Sequence, residues 1–218
     1  MSNELLKRIS TSVLALPILF AATIYSGVLL ILLLVLVYFL CVYEVIKNTR
    51  NISFNLFANI LLIFSFCSFY YLRGDTEYSL IILSWILIAT FLSDIGGYVF
   101  GKIFKGKKLT KISPNKTYSG SLGSVVLSCL SMPLLNALQY FFSKELLVNF
   151  LKIDFLVFTI LISLVCQLGD LFVSFWKRKI KIKNISNILP GHGGIIDRID
   201  GLIFVLIFGS ILKSTAVI

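Results

Sequence analysis

Seven apolar stretches punctuate the chain, at residues 9–25, 27–46, 54–72, 78–99, 119–142, 153–173 and 201–217. A helix that crosses the hydrocarbon layer needs about 20 mostly apolar residues. Each stretch comes near that length, the first and last being short. The pattern predicts an all-α, polytopic integral membrane protein with about seven transmembrane helices. The longest polar gaps are 100–118 and 174–200, too short for a soluble domain. Residues 1–218 are therefore expected to form a single transmembrane domain, with N-terminal helices over 1–99 and the remaining helices and two basic cytoplasmic loops over 100–218. Lys7 and Arg8 precede the first apolar run, as in a cleaved signal, but no A-x-A site follows and a second run begins at Gly27. A retained helical hairpin is the expectation.

Composition sharpens this picture. Hydrophobic residues make up 58% of the chain, above the 45–50% or so of soluble domains. The net charge of +10 raises the possibility of a nucleic-acid partner, but such proteins do not carry repeated apolar runs of this length. The charge is read instead as bias toward one membrane face plus an anionic ligand. With the N-terminus in the cytoplasm, sixteen Lys and Arg residues fall on the cytoplasmic side. Only four, Arg73, Lys144, Lys152 and Lys213, fall at or near the other. Cys41, Cys67, Cys129 and Cys166 all lie in apolar stretches without a C-x-x-C pair. They read as small buried hydrophobes rather than disulfides or a zinc site. Leu29 to Leu36 reads as a lipid-facing wall, and Glu44 as a carboxylate solvated at the cytoplasmic interface.

The first basic loop runs from Ser93 to Ser124. Asp94 ends a long apolar run, where a carboxylate costs about 2.5–3.5 kcal/mol unless it faces a polar cavity. Gly96, Gly97 and Gly101 allow a helix or a ligand to approach closely. Lys102, Lys105, Lys107, Lys108 and Lys111 suit either solvent and anionic lipid or a bound anion. Ser113-Pro114-Asn115-Lys116-Thr117 joins a rigid turn, hydroxyl donors and a lysine just ahead of a helix. This is a phosphate seat or an ordinary helix cap.

The second loop, QLGDLFVSFWKRKIKIKNISNILPGHGGIIDRID from Gln167 to Asp200, carries more chemistry. Asp170 and Ser174 share one helical face, as do Asp197 and Asp200. Three carboxylates, Asp170, Asp197 and Asp200, are expected to meet at the cytoplasmic mouth. Either a divalent cation relieves their repulsion, with Mg²⁺ taking one or two carboxylates plus water and phosphate oxygens, or Arg178 and Arg198 neutralise them. Lys177, Arg178 and Lys183 can neutralise phosphates. Gly191, Gly193 and Gly194 free the backbone to approach an oxyanion. His192, the sole histidine, is either structural or a phosphate-orienting or acid–base group.

The run S-F-W-K-R-x4-K-N-x-S-x-x-L-P-G-H-G-G-I-I-D-R-I-D, Ser174 to Asp200, resembles the signature of phosphatidate cytidylyltransferases, or CDP-diacylglycerol synthases. Gln167-Leu168-Gly169-Asp170-Leu171 resembles the segment that precedes it. Ser93-Asp94, Gly97-Tyr98, Gly101-Lys102 and Ser113-Pro114-x-Lys116-Thr117 resemble the family's other cytoplasmic loop. The resemblance implies Mg²⁺-dependent conversion of CTP and phosphatidic acid to CDP-diacylglycerol and pyrophosphate. It also implies a homodimer with its active site at the cytoplasmic face of the inner or plasma membrane, the side on which the Lys and Arg split puts the N-terminus. Carried over by position, Asp170, Asp197 and Asp200 would be the metal carboxylates, with Asp94 contributing. His192, Lys177, Arg178, Lys183 and Arg198 would hold phosphates, and Lys102, Ser113, Lys116, Thr117, Ser174, Gly193 and Gly194 would line the substrate site. The chain departs from the family at Asn184, where an Asp is usual, at Trp176 and at Ser119, and it is shorter than many members. Two rivals stay open: an enzyme activating an isoprenoid-type lipid phosphate, and a non-catalytic transporter or scramblase. A weakened paralogue is a third. CDP-alcohol phosphotransferases are disfavoured, because their D-G-x2-A-R…G-x3-D-x3-D spacing is absent.

Overall fold

The computed structural model describes residues 17–49, 51–110, 113, 116–182, 185–186, 188 and 193–215. Among them every regular element is a helix. Residues 17–25 form α1, which leads through Ser26 into α2 (Gly27–Asn48). There follow α3 (Ile52–Arg73), α4 (Glu77–Phe104), α5 (Tyr118–Cys129), α6 (Ser131–Ser143), α7 (Ile153–Lys179) and α8 (Ile196–Ser214).

Five segments are long and apolar enough to cross a membrane, α5 and α6 together counting as one. The expected number was seven. The stretch 9–25 lies partly outside the described residues. In α8, Asp197, Arg198, Asp200 and Lys213 dilute the apolar run. The break inside 119–142 falls at Leu130, whose N–H turns back to the Leu127 carbonyl. Pro133, two residues into α6, has no N–H to continue the α-helical ladder and crowds the preceding turn.

Two helices outrun their apolar stretches. α4 continues from residue 99 to Phe104 and α7 from residue 173 to Lys179. Asp94 thus stands ten residues, about 15 Å at the α-helical rise, from the end of α4. Asp170 lies similarly deep in α7. Lys177 and Arg178, expected in a loop, are helical.

Short caps define the turns. Thr76 Oγ1 accepts from Ser79 N at 3.1 Å, and Thr117 Oγ1 from Gly120 N at 3.0 Å, each satisfying one orphan donor of a first turn. At the far end of the bundle, Arg73 donates to the Thr23, Ile24 and Gly74 carbonyls. Lys213 Nζ reaches the Tyr71 carbonyl at 2.9 Å. Two of the four basic residues expected on the sparse face, Arg73 and Lys213, therefore close helix ends there.

The core has two parts. One gathers Leu30, Leu72, Ile86 and Trp85, the indole set between Phe150 and Phe155 with ring centroids 5.6 and 5.1 Å away. The other lies under the second basic loop, where Trp176 stacks on Phe54 at 4.8 Å beside Val45, Ile196 and Ile203. In α2, Leu29, Leu32 and Leu36 are exposed while Leu30 is buried. The aliphatic wall thus faces outward with one seam turned in. Apolar exposure on this scale fits a lipid environment rather than water.

α4 and α5 touch backbone to backbone. A Cβ on Gly96 would meet the Gly123 carbonyl, and one on Gly123 would run into the Phe100 side chain. Small residues permit this approach where apolar lipid supplies no driving force of its own. Gly123→Ala is expected to force the pair apart and to cost about 1–3 kcal/mol of overpacking. Thermal unfolding in detergent should show a lowered midpoint.

Candidate active site

The same ends of α4, α5, α7 and α8 enclose a cavity of about 380 Å³. Its walls carry Asp94 from α4, Lys116 and Thr117 from the turn before α5, Asp170 from α7, and Asp197, Arg198 and Asp200 from the first five residues of α8. Four carboxylates from three helices therefore face one space. Ser113, Ser121, Ser124, Tyr98 and Gln167 supply further polar groups.

Local sequence explains the placement. Ser113 and Lys116 close a turn, with Lys116 N donating to the Ser113 carbonyl at 3.0 Å. Lys108 and Thr117 pair antiparallel on either side of it. This short hairpin aims Lys116 Nζ at Asp170 Oδ2, 3.2 Å away, and at the Gln167 carbonyl, 3.4 Å away. On α7, Ser163, Cys166, Asp170 and Lys177 recur at helical spacing and so share a face.

The carboxylates divide into two groups. Asp197 is fully engaged by protein: Oδ1 takes Lys177 Nζ at 2.9 Å, and Oδ2 takes Ile185 N at 2.9 Å and Gly194 N at 3.2 Å. Both members of this ion pair are largely buried, with side chains 11% and 10% exposed. Asp94, Asp170 and Asp200 form the other group. Asp170 Oδ1 is buried and accepts from no N–H donor among the described residues. Donor atoms of Asp94, Asp170 and Cys166 lie within 4.8 Å of one another. Asp200 is 3.9 Å from Lys177 Nζ. The expectation grouped Asp170, Asp197 and Asp200 as equals, whereas here Asp197 clamps the loop and Asp94 brings a donor atom within 4.8 Å of Asp170.

A buried carboxylate oxygen that no described N–H donor reaches, set among further carboxylates, fits a hard divalent cation, which takes oxygen ligands. Asp94, Asp170 and Asp200 would hold it. The Cys166 thiol is soft and donates to Asp94 Oδ1 at 3.4 Å, so it orients a ligand rather than serving as one.

Other candidates lie apart. Lys102 sits near the exposed end of α4 with its ammonium 5.7 Å from the Tyr98 ring centre. Arg178 donates to the Ile182 carbonyl at 3.2 Å and points outward. Neither lines the cavity, nor does Ser174, and the neutralising cations are Lys116 and Lys177 rather than Arg178. Gly194 has its N–H committed to Asp197. Gly193 adopts a positive φ of 89°, which a side chain would strain. Lys183, Asn184, Pro190, Gly191 and His192 lie outside the described residues.

Sequence reasoning missed three contributors. Cys166 was read as a bland buried thiol, although its place four residues before Asp170 was visible. Ser121 bonds the Gln167 amide oxygen in the cavity wall, and nothing in the sequence marked it. Glu44 was read as solvated at the interface. It is fully buried and accepts from Ile195 N and Ile196 N at 2.9 and 3.0 Å. A polar residue near the end of an apolar run reads the same whether water or a partner helix covers it.

Comparison with known proteins bears on this geometry. The phosphatidate cytidylyltransferase of Helicobacter pylori J99 is 36% identical over 149 residues, which cover 65% of this chain and 53% of that protein. That of Staphylococcus haemolyticus is 34% identical over 186 residues, covering 83% and 68%. That of Bacillus subtilis is 34% identical over 167 residues, covering 75% and 60%. The chain thus spans between about half and two thirds of the length of these curated relatives. Residues 47–215 match the Cytidylyltransferase family. That match takes in every helix that lines the cavity, and the chain belongs to the cytidylyltransferase family.

Proposed function

We propose that the protein is a membrane nucleotidyltransferase that joins CTP and phosphatidic acid into CDP-diacylglycerol with release of pyrophosphate. The observation that carries the reading is the cavity itself. Three carboxylates, one with a buried oxygen that no N–H donor among the described residues reaches, adjoin Lys116 and Arg198 at the recessed end of a helical bundle. The relatives named as phosphatidate cytidylyltransferases supply the substrate class.

In the proposed reaction a phosphate oxygen of the lipid forms a bond to the α-phosphorus of CTP while the bond to the β-phosphate bridging oxygen breaks. The nucleophile is already anionic near neutral pH, so no dedicated strong base is needed. Bound Mg²⁺ would neutralise phosphate oxygens in this step. The chain's own residues do the remaining work. Asp94, Asp170 and Asp200 would hold the cation, and Lys116, bonded to Asp170 at 3.2 Å, would exchange that contact for a phosphate oxygen. Arg198 faces the same space and suits a forked phosphate contact. Lys177 balances Asp197 and Asp200, so that the carboxylates stay grouped before substrate arrives. Alignment and charge neutralisation then supply most of the acceleration.

A lipid headgroup bound in this recess would lie beside the carboxylates with its acyl chains among apolar helix faces. The lysine distribution supports an orientation with this end and the N-terminus in the cytoplasm of the inner or plasma membrane. The family resemblance extends the reading to a homodimer, without a nucleic-acid partner.

The test is purified protein with labelled CTP, phosphatidate and Mg²⁺, scored for labelled lipid and pyrophosphate. One CDP-lipid per pyrophosphate is expected, with no turnover in chelator. Product from a polyprenyl phosphate but not from phosphatidate would move the assignment to the isoprenoid substrate. A parallel arm with dCTP defines the sugar preference.

A further inference from the structure

We infer that Glu44, on α2 and outside the cavity, is a positioning residue for α8 and its two cavity carboxylates, an inference that rests on the proposed reaction. Glu44 lies just ahead of the stretch that matches the family and lines no part of the cavity. It is nonetheless fully buried, and both of its carboxylate oxygens are used. Oε1 accepts from Ile195 N at 2.9 Å and from the Ser186 hydroxyl, and Oε2 accepts from Ile196 N at 3.0 Å.

These donors are the orphan N–H groups at the start of α8. Ile195, the N-cap residue, has no side-chain acceptor of its own. Caps come ordinarily from the helix's own first residues, and here the acceptor arrives from another helix. A carboxylate at this end also opposes the positive pole of α8. Removing it would leave two buried amide donors without partners.

The same stretch of α2 holds the incoming loop. Asn48 Nδ2 donates to the Ile185 carbonyl at 2.7 Å and to the Glu44 carbonyl at 2.6 Å. Ser186, bonded to Glu44, accepts from Ile188 N at 3.2 Å. Gly194 fits against the carboxylate so closely that a Cβ there would stand 3.0 Å from Oε1. Glu44 therefore fastens both sides of the α7–α8 connection to one rigid helix. Asp197 and Asp200, one and four residues beyond Ile196, inherit their positions from that attachment. Misplacing reacting groups by about 1 Å costs on the order of a hundredfold in rate.

Glu44→Gln is the diagnostic substitution. It keeps the size but turns an amide donor toward donors. Purified Glu44→Gln is expected to lose about a hundredfold in kcat per folded molecule, with KM for CTP within about threefold of wild type because Lys116, on the turn before α5 rather than on α8, remains in place. The midpoint of Mg²⁺-induced thermal stabilisation, read without substrate, should rise about tenfold, the loss expected of a ligand-supporting contact. Arg73→Lys, at the far end of the bundle, controls for a lowered melting temperature and should keep wild-type kcat and Mg²⁺ midpoint. Wild-type kcat and Mg²⁺ midpoint in folded Glu44→Gln would overturn the inference. If that variant does not accumulate, Ser186→Ala removes one donor and should shift both quantities in the same direction by about twofold or more. Wild-type values there would equally overturn it. An inactive wild type would instead defeat the proposed reaction, and the Mg²⁺ midpoints would still decide the role of Glu44.

Discussion

Asp170→Asn should abolish cytidylyl transfer, by at least about a hundredfold in kcat, while the protein still inserts and folds. Groups that merely support a metal ligand commonly cost 10–100-fold when removed, and Asp170 carries a buried oxygen that no N–H donor among the described residues reaches. Asparagine keeps one carbonyl oxygen for Lys116, which now bonds Oδ2 at 3.2 Å. It removes the charge that adjoins Asp94 and Asp200. Metal-free Asp170→Asn is therefore expected to melt at or above the wild-type temperature, because like charges no longer crowd one space. Wild-type protein should gain stability on Mg²⁺ addition, and the variant should gain little. Activity assays paired with thermal unfolding in detergent, with and without Mg²⁺, check both statements. Retained turnover would remove Asp170 from the site.

Asp197→Asn should fail differently. Asp197 binds Lys177 through one oxygen and two backbone N–H groups through the other. An asparagine side chain has one acceptor and one donor, so it must abandon one side. Either Lys177 keeps only its 3.9 Å contact with Asp200, or Ile185 N and Gly194 N lose their acceptor. Breaking a mostly buried ion pair from one side costs about 3 kcal/mol. Turnover should fall together with the melting temperature, and the response to Mg²⁺ should survive in the folded fraction. The two substitutions thus separate a carboxylate that holds a cation from one that holds the loop. Equal loss of Mg²⁺ response in both would return Asp197 to the ligand set, as the sequence alone suggested.

Much of this arrangement was legible before any coordinates. Apolar length located the membrane helices, because burial in lipid demands a continuous run. The spacings of Asp170 and of Asp197 with Asp200 placed them on helix faces, since a 3.6-residue period is local. Features set by contact between distant segments stayed hidden. The extension of α7 past its apolar run goes with contacts to distant segments, Trp176 stacking on Phe54 and Lys177 pairing with Asp197. The partition of Asp197 from Asp170 and Asp200 depends on where Lys177 and the loop amides fall. Pro133 did announce the break between α5 and α6, and hydropathy alone passed over it. Glu44 shows the same limit: its partners lie about 150 residues away along the chain, and no local pattern reports them.

The most direct measurement is to locate a bound cation. Protein prepared with Mn²⁺ in place of Mg²⁺ and examined by anomalous diffraction should show a peak bounded by Asp94, Asp170 and Asp200, beside Asp170 Oδ1. A peak absent from that space, or one ligated by Asp197 with Asp170 turned away, would contradict the account.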